Sequence, residues 1–232
     1  MRVVFRSIVA AFISIPILSL SLGFSSALPG KKIALTFDDG PFPEATYALI
    51  DILQANRAHA TFFIVGRVAS LYPRMLQDLA RAGHELAGHS WTHTDIRMWS
   101  PNHTRWELEA TRKLIFRFTG QNSFLFRTPG STEGYIRKYF KPPPGYTLVL
   151  WDVHSRDHER GPAEEIAARV LSQVRDGDIV LLHNGVPSTV EALSLLLPKL
   201  AERGFEFVTV TELLQHRRAL AIVRRPPVPN NG

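Results

Sequence analysis

The side chains of this sequence best suited to chemistry are two adjacent aspartates, two histidines four residues apart, an arginine and a late histidine. Asp38 and Asp39 follow the apolar run 33–37, in Thr36-Phe37-Asp38-Asp39-Gly40-Pro41. Asp-Gly is a common turn dipeptide, so the pair alone reads as a turn. Successive strand residues point opposite ways, however, so one carboxylate can bind a metal while its neighbour faces the water on that metal. His89 and His93 lie in His89-Ser90-Trp91-Thr92-His93. On one face of a helical turn they would reach a single ion. With an aspartate from elsewhere they make a two-histidine, one-carboxylate site, which suits a catalytic rather than a structural metal. His183 follows the apolar run 179–182 and is either a hydrogen-bonded histidine at the core edge or a general acid. Asp152 and Asp157 are both candidates for the carboxylate that would keep it protonated. Arg127 is either a surface cation or the partner that orients Asp38 and keeps it ionised.

These residues need elements to position them. Short apolar runs at 33–37, 61–65, 85–87, 124–126, 147–151, 179–182 and 205–210 read as strands. Helical patterns lie between several of them. Ser100-Pro101 is a cap followed by proline at the first helical position, with Leu108, Ile115 and Phe118 at helical spacing. Gly161-Pro162 opens another, carrying Ile166, Val170 and Val174. Such alternation predicts a single α/β domain with a parallel sheet, open or closed into a barrel. Asp38-Asp39, Arg127, Asp152 and His183 all abut the carboxyl ends of apolar runs, where such folds assemble their sites. The Pro-rich pieces 141–145 and 225–232 read as a loop and a tail.

The chain has 232 residues, 45% hydrophobic and 21% charged, enough for one substantial core. Arg2 and Arg6 precede an uncharged apolar stretch at 7–24, and Ser25-Ser26-Ala27 supplies small residues for cleavage. That is the layout of a secretory signal. The stretch is close to spanning length, which leaves an uncleaved membrane anchor as the alternative, although Pro16 and the serines favour cleavage. Both readings place the mature domain outside the cytoplasm: periplasmic, wall-associated or secreted. The expected division is a signal at 1–27, a catalytic domain at 28–221 and a tail at 222–232. The absence of cysteine excludes thiolate chemistry and Cys-ligated zinc. The net charge of +6 suits an anionic wall polymer or membrane surface. The positive residues are scattered without a stripe, which argues against nucleic acid.

The motifs 36–41, His89-x3-His93, Arg127-Thr128-Pro129, the segment from Trp151 to Asp157 and Leu181-Leu182-His183, in that order, resemble those of the NodB-type polysaccharide deacetylases, carbohydrate esterase family 4. The resemblance runs from about residue 32 to 214. It implies a distorted (β/α) barrel of about seven parallel strands, and removal of acetyl groups from N-acetylglucosamine polymers or acetylated xylan. Asp39, His89 and His93 would hold a divalent metal, usually Zn2+ in the family. Asp38 would be the general base with Arg127 its partner, and His183 the general acid tuned by Asp157. Leu181 would line the acetyl-methyl pocket and the Gly130 N–H would serve the oxyanion. Three positions depart from the pattern: Gly130 replaces an aromatic residue, His154 an aspartate and His158 a tryptophan. The lost tryptophan leaves a wider acetyl pocket, or one filled by Trp99, Trp151 or a phenylalanine. Trp99 and Trp106 otherwise read as core, and His84 as core or a support for the metal strand. The leading expectation is a monomeric N-deacetylase of peptidoglycan or a chitin-like polymer. A xylan O-deacetylase and a non-catalytic wall-binding relative are the alternatives.

Overall fold

The computed structural model describes residues 30–130 and 133–223. The expected signal at 1–27 lies outside the described residues, as does the expected tail at 222–232 apart from 222 and 223, which are the last residues of a helix. Within them, strands and helices alternate as the apolar runs predict. β1 (Lys31–Asp38) is buried from Ile33 to its end. Such a continuously apolar strand belongs in the middle of a parallel sheet with both faces covered. It pairs in parallel with β2 (Ala60–Ile64) and β7 (Ile179–His183). β3 (Glu85–Gly88), β4 (Leu125–Phe126) and β5 (Thr147–Leu148) extend the β2 side, and β6 (Val153–His154) extends the β7 side. β8 (Phe205–Phe207) pairs off this path with the start of β1. The seven strands on the path curl into a half-barrel, open between β5 and β6, which is the distorted barrel that the family resemblance implies.

Helices α1 (Pro43–Ala55), α2 (Gly66–Ala69), α3 (Pro73–Arg81), α4 (Pro101–Thr119), α5 (Glu133–Tyr139), α6 (Ala163–Gln173), α7 (Pro187–Glu202) and α8 (Val210–Val223) fill the connections. Proline opens α1, α3, α4 and α7 at a position whose N–H has no helical partner to lose. Ser100 caps α4 by accepting from the His103 N–H, and left-handed Gly120 ends it. α6 begins one residue after the proline expected to open it, because Pro162 stays extended as its cap. None of the described helices is long and apolar enough to cross a membrane.

Two expected strands are shorter than their apolar runs. The run at 205–210 leaves the sheet after Phe207 because Thr209 and Glu212 form a reciprocal cap that starts α8. The run at 147–151 pairs only over Thr147–Leu148, since the carbonyls of Val149 and Leu150 turn to a buried arginine, Arg127.

The alternation of side chains along β1 divides its two faces. Ile33, Leu35 and Phe37 join Phe62, Leu182 and Leu196 in the main core beneath the helices. Ala34 points the other way, into a smaller cluster with Phe63, Ala87 and Val149. Thr36 and Asp38 share that inner face by the two-residue period, so the strand delivers a carboxylate to the barrel mouth. Truncating Leu35 to alanine leaves a cavity at the centre of the main core. It should lower the unfolding free energy by about 2–5 kcal/mol in denaturant titration.

Candidate active site

Strand register brings the ionisable residues together. Asp38, the last residue of β1, lies beside His183, the last of β7. Gly88 of β3 lies beside Phe126 of β4, so the residues that follow, His89 and Arg127, become neighbours. Asp39 turns out of strand geometry with φ at 75°, which separates its carboxylate from that of Asp38.

The two histidines do not share a helical turn, contrary to expectation. Ser90 and His93 have positive φ, at 67° and 62°, which a right-handed helix excludes. A tight loop replaces it, closed by the His93 N–H donating to Ser90 Oγ at 2.9 Å. Buried Glu107 of α4 anchors this loop by accepting from the backbone N–H groups of Trp91 and Thr92. Sequence reasoning missed Glu107, because no spacing rule links α4 to a loop fifteen residues earlier.

The loop sets His93 Nε2 2.9 Å, and His89 Nε2 3.3 Å, from Asp39 Oδ1. The three donor atoms lie within 4.8 Å of one another. His89 Nδ1 stands 3.0 Å from the Arg127 carbonyl. A carbonyl can only accept, so Nδ1 carries the proton and Nε2 keeps its lone pair for a cation. Two imidazoles and a carboxylate with such outer support fit a divalent metal. Burial opposes ionisation of Asp39, yet the His89 and His93 imidazoles facing it hold it well below the usual carboxylate range.

Arg127 is completely buried. Its Nη1 donates to Asp38 Oδ1 and to Thr36 Oγ1, both at 2.8 Å, while Nε and Nη2 donate to the Val149 and Leu150 carbonyls. The guanidinium also lies over the Phe63 ring, 4.2 Å from its centroid. With Oδ1 occupied, Asp38 Oδ2 is the oxygen 3.8 Å from His89 Nε2.

Of the two carboxylates considered for His183, the structure pairs it with Asp157. His183 Nδ1–H donates to Asp157 Oδ1 at 2.7 Å, and the His183 backbone N–H donates to Oδ2 at 2.7 Å. Ser155, His158 and Thr189 supply three more donors to the same carboxylate, which is fully buried. Asp152 instead accepts from the Ile179 N–H and pairs with Arg217. Burial pushes the His183 pKa down, but the hydrogen bond and charge of Asp157, with Asp38 and Asp39 beyond, outweigh it and raise it.

A cleft of about 640 Å³ at the barrel mouth is lined by Asp38, Asp39, His89, His93, Gly130, Trp151, Leu181 and His183. Arg127 and Asp157 stand behind its wall. Thr128, Glu133, His154, Arg156 and His158 complete the lining. The sequence singled out the two histidines as departures but passed over Glu133, Arg156 and the Thr128 side chain. Thr128 Oγ1 is buried with no hydrogen-bond partner among the described residues. Trp151 rather than Trp99 reaches the cleft. Trp106, expected in the core, is 49% exposed and stacks on His103. His84 sits in the core away from the cleft, its pKa lowered to about 4 by burial.

A family model described as polysaccharide deacetylase matches residues 25–141. A peptidoglycan-N-acetylglucosamine deacetylase of Bacillus cereus is 37% identical over 198 residues, spanning 81% of this chain and 90% of that protein. A chitooligosaccharide deacetylase of Bradyrhizobium sp. is 32% identical, spanning 86% of this chain and 98% of that protein. Among solved structures, the peptidoglycan deacetylase PdaC from Bacillus subtilis matches with a TM-score of 0.75 at 29% identity. That match covers 84% of this chain and 95% of the other.

Replacing Asp157 with asparagine removes the charge that holds a proton on His183. In chelator-treated protein, an NMR titration of the His183 imidazole should show its pKa falling from above the ordinary histidine value to that value or below. The protonated fraction near neutral pH falls with it, because a raised pKa keeps a histidine charged to higher pH.

Proposed function

The chain belongs to the polysaccharide deacetylase family, and on that footing we propose that it removes acetyl groups from the N-acetylglucosamine units of peptidoglycan or a chitin-like polymer. The observation that carries the reading is the convergence of three groups on one cleft. These are the Asp39, His89 and His93 donors, an Arg127-bound Asp38, and an Asp157-bound His183. The apolar stretch at 7–24 behind Arg2 and Arg6 supports export, to the compartment where wall polymers lie.

Asp39, His89 and His93 would hold a divalent cation, zinc in this reading, which when bound polarises the acetamido carbonyl and acidifies water. Asp38 acts as general base. Arg127 fixes one of its oxygens, so the other takes the proton from the attacking water. The water oxygen bonds to the carbonyl carbon as negative charge builds on the carbonyl oxygen. The Gly130 N–H, held on a left-handed turn at the cleft edge, donates to that oxygen. As the carbon–nitrogen bond breaks, His183 gives its proton to the departing amine. Asp157 holds the ring in the tautomer and orientation this needs. Acetate and a free sugar amine result. Leu181 and Trp151 offer apolar surface to the acetyl methyl group.

The purified protein should release acetate from peptidoglycan or N-acetylglucosamine oligomers, and a chelator should stop it. Faster release from acetylated xylan would overturn the N-deacetylase reading. Asp38→Asn should abolish turnover while elemental analysis still finds metal bound. Loss of metal in that variant would show that the two aspartates have exchanged roles. His183→Ala should slow amide cleavage by about 10²–10⁴-fold and slow an activated acetate ester much less, because only the amine leaving group needs the proton. Equal slowing on both would remove the general-acid assignment.

A further inference from the structure

The segment that runs from β6 into the following turn puts His154, Arg156 and His158 on the cleft wall, and the proposed hydrolysis uses none of them. Two of these positions are those that depart from the family pattern in the sequence. Their rings continue from the acid: His183 to His158 is 5.3 Å between centroids, His158 to His154 5.2 Å, and His154 to Trp151 5.6 Å. His154 Nδ1 lies 3.0 Å from the Arg156 backbone N, whose proton it accepts. The neutral ring therefore carries its own proton on Nε2, which makes that edge a donor. Burial and the neighbouring His158 and His183 push the His154 pKa down, in keeping with a neutral ring.

The acids of the cleft are already engaged. Asp38 is held by Arg127, Asp39 by His89 and His93, and Glu133 by Arg137 at 2.6 Å. Among the described residues Arg156 makes only a loose contact, 4.0 Å to Glu159, with both side chains more than half exposed. A guanidinium fork beside an imidazole donor matches a planar or tetrahedral oxyanion, and the one carried by the sugars and stems of an N-acetylated wall glycan is a carboxylate. We propose that this wall binds a carboxylate carried by the glycan, so that acidic N-acetylated polymers are preferred over neutral, chitin-like ones. The proposal rests on the deacetylase reading. It selects peptidoglycan, whose carboxylates come from the lactyl ether on alternate sugars or from the peptide stems.

The test compares kcat/KM on two oligomers of equal length, one peptide-free and one stem-bearing, each with its carboxylates free and with them converted to methyl amides. The free acid should be preferred roughly tenfold, the size expected of a partly exposed charge-assisted contact. Arg156→Gln should bring the acid-to-amide ratio close to one, and 0.5 M salt should shrink it by screening. A preference in the peptide-free arm assigns the lactyl carboxylate, and one confined to the stem-bearing arm assigns the stem. Equal rates on acid and amide in both arms, or a ratio unchanged by Arg156→Gln, overturn the proposal. Absence of turnover on every substrate would instead remove the deacetylase reading. Calorimetric binding of the acid and amide oligomers to the wild type and to Arg156→Gln then decides the carboxylate claim on its own.

Discussion

A guanidinium with no exposed surface is affordable only when its donors are used and its charge is met. Arg127 fulfils both conditions, and much of the mouth of the barrel depends on how it does so. Its side chain reaches Thr36 and Asp38 on β1 and two carbonyls of the connection after β5. Its own backbone carbonyl accepts from His89 and thereby decides which nitrogen faces the cation site. The opening of the half-barrel between β5 and β6 and the direction of the Asp38 carboxylate are therefore coupled through one residue. Burial lowers the Arg127 pKa and the Asp38 charge opposes that, so the guanidinium depends on Asp38 for its counter-charge. Breaking a buried pair by deleting one partner costs about 3–5 kcal/mol, because the survivor is left charged and unmet.

Three aspartates at the mouth show how environment separates identical side chains. Asp157 is fully buried and accepts five hydrogen bonds, so it has no capacity left for a cation or a substrate and can act only through His183. Asp38 is buried with one oxygen committed and one beside the cleft. Asp39, its neighbour in sequence, is part-exposed and lies against two imidazoles. The difference between the last two comes from a single left-handed residue at the end of β1. Without that turn, strand alternation would send Asp39 toward the helices that cover Phe37.

The cleft is built from loops over a rigid floor. Its floor is the pairing of β1 with β7, whose register sets Asp38 beside His183. Its walls come from the loop after β3, the residues after β4 and the turn after β6, each fixed by a buried polar anchor. Glu107 holds the first, Arg127 the second and Asp157 the third. Variation in such walls changes what is recognised without disturbing the floor, and the His154–His158 segment carries two of the three departures noted in the sequence.

Most of the architecture was legible in the amino-acid order. Apolar runs with ionisable residues at their carboxyl ends specify a parallel α/β fold, because a strand buried on both faces must be apolar and its polar groups must collect at its mouth. Proline and serine at helix starts marked α4 for the same local reason. The two-residue β6, the early end of the 147–151 run and the non-helical His89–His93 loop were not legible. Each depends on hydrogen bonds to residues distant in sequence or on a positive φ in a residue other than glycine. The choice of Asp157 over Asp152 as the partner of His183 was likewise open in the sequence. Both aspartates follow the same apolar run, and only the pairing of β6 with β7 and the turn beyond it brings one to His183 and sends the other to Arg217. The sequence by itself determined which chemical groups this protein has and the class of fold that collects them. The tertiary structure decided which of them touch, because register and backbone handedness, not composition, place a carboxylate within hydrogen-bonding distance of an imidazole.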